Sequence, residues 1–460
     1  MKDGIGMNAQ VSDWSTDRLA SWAAALRYED LPLDVVAMAE DCILDAIGCA
    51  LAGLDENGAR ATTDMAAATF AGDEARVWFR DQRLNMIGAA YANAAAVSAL
   101  DIDDGHRLAM GHPGAAVVPT ALALAEARGA SGQEIITAVA AGYEIAVRLG
   151  HAEIKKPYHT GNWTGFGAAV TAAKLMELDA ATIAQALAIT AYHSPRLHDL
   201  TQSKFMGADV KESIPWSVVT GISATELATR GFTGCRDALD LEGRFDPSVT
   251  LDGLGDGFRI MGTYFKNYSV CRWAHTSIQG LAEIMREHTL TPQDIESVNV
   301  DTFGQAAALN NSADPDNIIS AQYSLPFTMA AAAVLGEESV SPLTEDVIGH
   351  PDVVRMAKRI IINYDRDMDQ HLPLRAPGRV HVVTADGVFE KTVITAWGDA
   401  GGETGRNDYR AKFMRLMGKR ASGAQIAGVI AGVDKLRDGE PQALLDGLTS
   451  PAHQPARRAG

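Results

Sequence analysis

The chain has 460 residues, of which 47% are apolar, and a formal net charge of −18 at pH 7. Because this length exceeds one ordinary hydrophobic core, we expect two domains or one large domain with an insertion. The acidic charge and the lack of an extended Lys/Arg stripe argue against a nucleic-acid or anionic-membrane partner, since nothing would displace counterions from phosphates.

Cysteine usage and the N-terminus indicate the compartment. The chain has four cysteines and no Cys-x-x-Cys pair, which is typical of a reducing environment. The N-terminal residues lack a basic segment followed by an apolar one, so no secretory signal is predicted. The uncharged stretches 84–100 and 108–125 approach membrane-spanning length, but their Ala, Pro and Gly content favours buried helices. We expect a cytoplasmic protein.

The region from about residue 12 to residue 260 has apolar residues at threefold and fourfold spacing, which predicts an almost wholly helical structure. The segment 35–51 is one such helix, with Asp41 and Asp45 one turn apart on its polar side. Ser131 and Glu134 are spaced as a capping box that opens a helix over 135–149. Further helices are predicted over 164–176, 180–192 and 215–230.

The hydrophobic period changes after about residue 290. Alternating and β-branched runs predict strands at 297–302, 359–363, 379–384 and 388–395. Asp386-Gly387 between the last two predicts a hairpin. Helical patterns at 276–288, 322–335 and 351–358 are interleaved with these strands. The combination is typical of a smaller α+β module.

We therefore predict a mostly α fold, in which a large all-helical domain contains an inserted smaller α+β lid domain. The first part of the helical domain is predicted at 1–262 and the lid at 263–397. C-terminal helices at 398–447 complete the helical domain, and 448–460 form a flexible tail.

Four polar clusters interrupt the apolar periodicity near predicted helix ends. The first, residues 101–113, follows an Ala-rich helix and holds three aspartates, His106, Arg107 and His112. The other three are residues 155–163, 196–211 and 265–275. Their side chains of chemical interest are Lys155, Lys156, Tyr158, His159, Arg196, His198, Lys204, Lys211, Lys266, Tyr268, Cys271, Arg272 and His275.

Together, these clusters supply cations that hold carboxylates and titratable groups that move protons near neutral pH. We interpret Lys155 and Lys156 as ordinary lysines exposed to solvent. Because the rest of the chain is acidic, the concentration of basic groups indicates an anionic substrate, a small polycarboxylate. We expect the pocket between the helical domain and the lid.

Metal binding is the main competing chemistry, because the first cluster carries carboxylates and imidazoles that can ligate a divalent cation. No HExxH, Cys/His pair or Ca²⁺ loop is present, so we expect no metal site. Nucleophilic catalysis and nucleotide binding are less well supported, since the sequence has no GxSxG, no GxGxxG after a strand and no GxxxxGK[ST] motif.

Several motifs in a fixed order resemble the MmgE/PrpD family, which includes 2-methylcitrate dehydratase, cis-aconitate decarboxylase and iminodisuccinate epimerase. The resemblance spans nearly the whole chain. Its motifs are Asp41 to Gly48, Asp101 to Asp104, Gly111-His-Pro-Gly114, Ala208-Asp-Val-Lys211, Gly231-Phe-Thr-Gly234 and Lys266 to Cys271 with His275.

The resemblance implies a helical domain built from both chain ends, an inserted α+β lid, a homodimer and a pocket between the two domains. It also implies action on small di- and tricarboxylates by proton transfer at a carbon next to a carboxylate. No metal or organic cofactor is implied. The expected partners are therefore a small-molecule di- or tricarboxylate and a second copy of the chain.

The resemblance also assigns site residues by position. Catalytic positions fall on Asp101, His112, His159 and Lys211. Substrate contacts are predicted for His106, Tyr158, Lys266, Tyr268, Cys271, Arg272 and His275. Three departures affect the first and third clusters: Gly105-His106 replaces Thr-Trp, Gly114 replaces the serine of His-Pro-Ser, and Lys211-Glu-Ser-Ile-Pro differs from the Lys-Pro-x-His of the decarboxylase and epimerase types.

We hypothesise that His112 transfers the proton while Asp101 fixes its tautomer, although Lys211 and His112 can exchange roles. Lys211, Lys266 and Arg272 would clamp the carboxylates, with His159 as a second acid or base. The first predicted activity is a cofactor-independent lyase, a hydro-lyase or dehydratase. The alternatives are an isomerase or epimerase of a substituted succinate, a decarboxylase of the cis-aconitate decarboxylase type, and a non-catalytic binding protein.

Overall fold

The computed structural model describes residues 14–154, 158–195 and 206–449. The described chain is mostly α-helical, as predicted. Its helices before residue 260 are α1 (Ser15–Ala25), α2 (Leu33–Gly53), α3 (Asn57–Thr69), α4 (Met86–Ser98), α5 (Gly114–Arg128), α6 (Gly132–Ala152), α7 (Gly161–Leu175), α8 (Ala180–His193), α9 (Ile214–Thr229) and α10 (Pro247–Leu251). Two short strand pairs accompany these helices. They are β1 (Ala75–Arg76) with β2 (Arg83–Leu84), and β3 (Gly105–His106) with β4 (Thr263–Tyr264).

The helical core is centred on α2, α5, α6 and α7, whose side chains are almost all buried. A helix that is apolar on every face belongs inside a bundle. The predicted capping box is present, since the Ser131 hydroxyl accepts from the Glu134 amide and the Glu134 carboxylate accepts from the Ser131 amide. Helix α7 packs between α6 and α9, and α4 packs against α2, α5 and α9.

The acidic residues of α2 correct one prediction. Asp41 and Asp45 are 6% and 4% exposed, so they do not lie on a solvent-facing side. Asp45 pairs with Lys412 at 2.6 Å, and Asp41 lies 3.5 Å from Arg406. Both partners belong to α16 (Arg406–Gly418), which packs on α2 together with α17 (Gly423–Asp434). The C-terminal helices thus return to the helical core through buried ion pairs.

The predicted α+β segment contains a four-stranded sheet with the order β6-β5-β7-β8. β5 and β6 are parallel, whereas β5–β7 and β7–β8 are antiparallel. The strands are β5 (Ile295–Thr302), β6 (Ile360–Tyr364), β7 (Gly378–Thr384) and β8 (Gly387–Val393). The helices of this part are α11 (His275–Glu287), α12 (Gly304–Ala307), α13 (Ile318–Gln322), α14 (Leu325–Leu335) and α15 (Pro351–Ala357), and α18 (Gln442–Gly447) follows near the C-terminus. Helix α11 packs on β7, β8 and α14.

Two local predictions differ from the structure. The hairpin is present, but its two loop residues are Ala385 and Asp386, and Gly387 already pairs with Thr384 at a φ of 136°. The uncharged stretch from Leu108 becomes helical only at Gly114. A tight turn precedes it, in which the His106 amide donates to the Gly111 carbonyl at 2.8 Å.

No helix among the described residues is long and apolar enough to cross a membrane. The domain limits at 262/263 and 397/398 stay predictions, as does the role of the α+β segment as a lid. What matters for the site is that the loop after α4, the start of α9 and the segment from β4 to α11 meet in space. Their meeting is visible in the β3–β4 pairing, where Gly105 lies opposite Tyr264.

Candidate functional site

The loop between α4 and α5 carries the first charged cluster into the interior. Asp101, Asp103, Asp104, His106 and His112 are each at most 2% exposed. Asp101 has a φ of 52°, a conformation that non-glycine residues rarely adopt. Buried ionised groups are stable only when they are paired. Their partners therefore decide what the cluster does.

Two lysines pair with Asp101. The Lys266 ammonium donates to Asp101 Oδ2 and to its backbone carbonyl, both at 2.9 Å. Lys211 Nζ lies 3.6 Å from Asp101 Oδ1 and donates to the Ser98 carbonyl at 2.9 Å. Burial alone would raise the pKa of Asp101, but Lys266, Lys211 and His112 lower it to about 2. Asp101 is therefore an anion that holds cations in place.

The structure places Lys266 behind Asp101, with its side chain fully buried. Its ammonium lines neither of the two cavities at the site. The predicted direct clamp on the substrate is thus not what the geometry shows. Lys266 compensates the charge of Asp101, and Lys211 is the lysine that faces the cavity.

The His112 ring lies between acceptors on both sides. Its Nδ1 is 2.9 Å from the Asp104 carbonyl and 3.2 Å from Asp103 Oδ2. Its Nε2 is 3.5 Å from Asp101 Oδ1 and 3.8 Å from Glu212 Oε1. Acceptors at both nitrogens favour the doubly protonated ring. Asp101 approaches the ring at Nε2 and the Asp104 carbonyl lies at Nδ1, so the hypothesis that Asp101 fixes the tautomer of His112 stays a prediction.

The protonation state of His112 follows from its surroundings. Burial and the Lys266 ammonium lower the pKa of the ring. The Asp103 and Glu212 carboxylates raise it by more than that, so that the pKa is about 9. The carboxylates outweigh the cost of burial because they contact the ring directly. His112 is therefore an imidazolium at neutral pH.

Glu212 is a site residue that the sequence reading missed. It is 1% exposed, and its carboxylate accepts from the amide and hydroxyl of Thr160. Lys211 and Ser213 on either side have φ values of 39° and 54°. This strained turn before α9 directs two opposite charges into one cavity. In the sequence, Glu212 appears only as the second residue of a Lys-Glu pair just before a helix. Such a pair cannot be distinguished from an ordinary surface pair.

Two cavities meet at His112. The larger, of about 240 Å³, is lined by Ser98, Asp101, Asp103, His112, Lys211 and Glu212, and also by Glu56, Asp209 and Glu345. The smaller, of about 60 Å³, has on its wall His106, Arg107, His112, Tyr158, Tyr264, Cys271 and Arg272. His112 is the titratable residue common to both walls. A ligand in either cavity can reach its ring.

The predicted substrate contacts divide between two locations. His106, Tyr158, Cys271 and Arg272 line the smaller cavity. His106 Nε2 lies 3.0 Å from the Arg259 carbonyl, and burial lowers its pKa to about 4. Burial raises the pKa of the Cys271 thiol to about 11, so it is not a thiolate at neutral pH. Tyr158 Oη lies 3.4 Å from the Cys271 sulfur.

Tyr268, His275 and His159 lie off the two cavity walls. Tyr268 donates to Glu337 and packs its ring on His275. His275 Nε2 lies 3.2 Å from the Val270 carbonyl. His159 is 2% exposed and precedes Thr160, which holds Glu212. Roles for these three residues stay predictions.

Two other groups lie near the site: Tyr323 was not predicted, and Arg107 was predicted only as a member of the first polar cluster. Tyr323 is buried with its ring centroid 6.4 Å from that of Tyr158, and its hydroxyl has no hydrogen-bond partner among the described residues. Arg107 joins Arg272 on the wall of the smaller cavity. Lys155, Lys156, Arg196, His198 and Lys204 lie outside the described residues.

Two departures from the family pattern have steric causes. A Cβ at Gly114 would collide with the Tyr143 hydroxyl and the Asp104 carboxylate. Tyr143 and Asp104 are hydrogen-bonded, and the Gly114 amide donates to Asp104 at 3.0 Å. A Cβ at Gly105 would likewise collide with the Tyr264 hydroxyl. Glycine at both positions makes room for a tyrosine.

A divalent cation is the alternative occupant of the larger cavity. Asp101, His112 and Glu212 offer ligand atoms within 4.8 Å of one another. Lys266 and Lys211 already contact Asp101, and the Nε2 atom of His112 faces the Asp101 and Glu212 carboxylates. Two of the three candidate ligands therefore already have ionic partners. The expectation of no metal stays a prediction.

Comparison with known proteins places these residues in a family. The model of the MmgE/PrpD N-terminal domain matches residues 17–252, and that of the MmgE/PrpD C-terminal domain matches residues 268–435. Cis-aconitate decarboxylase from Mus musculus is 25% identical over 474 residues, which cover 94% of this chain and 93% of the relative.

Two further relatives carry the same name. The protein from Homo sapiens is 25% identical over 462 residues, covering 94% of each chain. That from Aspergillus terreus (strain NIH 2624 / FGSC A1156) is 23% identical over 411 residues, covering 81% of this chain and 83% of the relative. Since the two family models together span most of the sequence, the chain belongs to the MmgE/PrpD family.

Proposed function

We propose that this protein is a lyase acting on a small dicarboxylate, with His112 donating a proton to the carbon next to a carboxylate. The observation that carries the proposal is the buried His112 ring, which has acceptors near both nitrogens and lies on the walls of both cavities. Family membership and the cis-aconitate decarboxylase relatives support an enzyme that acts on carboxylates. The proposed chemistry needs no cofactor.

Decarboxylation is the reaction that best suits a resident acid. The C–C bond to one carboxylate breaks, CO₂ leaves, and the electron pair remains on the substrate carbon. A second carboxylate held by Lys211 accepts part of that charge. The imidazolium then gives its proton to the carbon, and the neutral ring regains a proton from water.

Dehydration, the reaction first predicted, requires a base in addition to the acid. Glu212 is the residue placed to accept a Cα proton, because Thr160 donates to Oε2 while Oε1 points toward His112. His112 would then protonate the departing hydroxyl. We rank dehydration second, because the relatives' name and the protonated histidine both favour decarboxylation.

The charges around the larger cavity favour a dicarboxylate over a tricarboxylate. Its wall also carries Glu56, Asp209 and Glu345, and burial together with Glu345 raises the pKa of Glu56 to about 7. Acidic groups at this wall disfavour each additional negative charge on the substrate.

The proposed function is tested by supplying the purified protein with a panel of di- and tricarboxylates in deuterated water. We expect CO₂ release and one deuterium at the product carbon. Water loss with an ultraviolet-absorbing alkene and no CO₂ would instead identify a dehydratase. Deuterium exchange with loss of optical rotation alone would identify an epimerase. Neither turnover nor exchange with any acid would contradict the proposal.

A conservative change at Glu212 separates the two lyase mechanisms. Glu212→Gln removes one of the carboxylates that raise the pKa of His112. Activity that needs the imidazolium falls as pH rises through the pKa of the ring, so its alkaline limb should move about one pH unit or more downward. We expect kcat at pH 6 to change less than tenfold.

The pH–rate profile of Glu212→Gln is the measurement. If Glu212 is the Cα base of a dehydratase, kcat should fall about 10²-fold or more at every pH. An exposed acidic residue, Glu242, gives the matched variant Glu242→Gln, which should leave the profile unchanged.

A further inference from the structure

The smaller cavity holds a pair of guanidinium groups that the proposed reaction does not use. Arg107 and Arg272 both line it, and their side chains are 10% and 2% exposed. Arg107 comes from the loop after α4, whereas Arg272 precedes α11. Two like charges this deeply buried require a compensating anion.

Asp399 supplies only part of that compensation. Its Oδ1 accepts from Arg107 at 2.8 Å and lies 2.9 Å from Arg272, while its Oδ2 accepts from the Ala396 amide. One carboxylate shared by two guanidiniums leaves one positive charge. The Arg272 Nε atom is buried without a hydrogen-bond partner among the described residues. Arg107 bonds Asp399 through Nε and one terminal nitrogen, and its other terminal nitrogen donates to no described residue.

The Tyr264 ring lies next to both arginines. Their guanidinium carbons lie 5.1 Å and 4.7 Å from the centre of its ring. Tyr264 is paired across β3–β4 with Gly105, and only glycine there leaves space for its hydroxyl. Burial raises the pKa of this phenol to about 12, so it remains a hydrogen-bond donor at neutral pH. The cavity is thus lined by a neutral donor and two cations.

We propose that Arg107, Arg272 and Tyr264 form a carboxylate subsite. The inference rests on the proposed function, and it names the group that binds one end of the substrate. The cavity, of about 60 Å³, is the smaller of the two that meet at His112, which suits one end of the substrate. The terminal nitrogens of Arg272 already donate to the Phe265 and Trp397 carbonyls, so Arg272 offers its Nε and Arg107 a terminal nitrogen to a carboxylate.

The position of the subsite defines the substrate. Lys211 faces the larger cavity and the arginines face the smaller one, with His112 on both walls. The two carboxylates of the substrate therefore bind on opposite sides of the imidazole. The carbon that receives the proton lies between them.

The test is calorimetric binding of succinate and butyrate to the purified protein and to Arg107→Met and Lys211→Met. Succinate fills both subsites, so each substitution should raise its dissociation constant about tenfold or more. Butyrate has one carboxylate and fills one subsite, so only one of the two substitutions should weaken it by that factor. Tyr264→Phe keeps the ring next to both arginines and should weaken succinate binding about three- to tenfold.

Three outcomes would overturn the subsite. Succinate affinity within twofold of wild type in both Arg107→Met and Tyr264→Phe would exclude these residues from the site. Equal weakening of both acids by both substitutions would indicate a general structural defect. Failure of the wild type to bind either acid would remove the proposed function as well, which distinguishes the two failures. Arg355→Met, at an exposed ion pair with Asp352, is the matched control and should bind both acids like wild type. If Arg107→Met does not fold, Tyr264→Phe alone decides.

Discussion

Replacing His112 with asparagine is expected to lower kcat by about 10²- to 10⁴-fold at pH 7, the range of a lost general acid. Asparagine keeps a polar side chain in the pocket but cannot deliver a proton. The Nδ1 contact with the Asp104 carbonyl and the Nε2 approach to Asp101 both disappear with the ring. Substrate should still bind through Lys211, so KM should change much less than kcat.

The measurement is steady-state kinetics with the acid identified by the substrate panel, together with the deuterium content of the product. His288→Asn is the matched control, because His288 is exposed at the end of α11 and stacks on Phe389. It should retain wild-type kcat. Retention of more than a tenth of wild-type kcat in His112→Asn would show that another residue supplies the proton.

The fold was largely predictable because its signals are local. Helices such as α6 and α8 appear as apolar periodicity bounded by capping residues, and the hairpin β7–β8 as alternation around a turn. The start of α5 was not predictable in the same way. Residues 108–113 are apolar enough for a helix, but the preceding turn and the β3–β4 pairing with residues 263–264 hold them in another conformation. That partner is more than 150 residues away in sequence.

The site shows the same division between local and distant information. Asp101 and His112 stand out as charges at a helix end, and this alone indicated a functional loop. What each group contacts could not be read from the sequence. Lys266 and Asp101 are 165 positions apart, and Asp399 lies in a segment for which no site residue was predicted.

The pairing of Lys266 with Asp101 rather than with a cavity has a physical reason. The sequence predicted Lys266 as a cation that contacts the substrate directly. A cation that is fully buried in the ligand-free protein needs an anion within the protein, because a ligand that is not bound cannot offset the free energy of desolvation. Lys266 therefore has Asp101 and Arg272 has Asp399. Lys211, whose side chain is 11% exposed, is the lysine left to contact a ligand.

Breaking the pair between Lys266 and Asp101 is expected to destabilise the protein by about 3–5 kcal/mol, the cost of leaving a buried charge without its partner. In Lys266→Met, Asp101 loses the donor at 2.9 Å from Oδ2 and keeps Lys211 at 3.6 Å from Oδ1. The raised pKa of the Lys266 ammonium, which Asp101 holds above its usual range against burial, has the same origin. The free energy of unfolding from denaturant titration is the measurement.

The double variant Lys266→Met/Asp101→Asn separates stability from function. Removing both charges should restore most of the lost stability, because neither remaining side chain is an unpaired ion. Activity should not return, since a neutral amide in place of the Asp101 carboxylate can neither hold the Lys211 ammonium nor contribute charge at His112 Nε2. Lys412→Met, which breaks the equally buried pair with Asp45, is the matched control for stability and should cost a similar free energy. Recovery of both stability and kcat in the double variant would show that the charges of Lys266 and Asp101 are not needed for activity. A loss below about 1 kcal/mol in Lys266→Met would show that Asp101 is neutral or solvated in the folded protein.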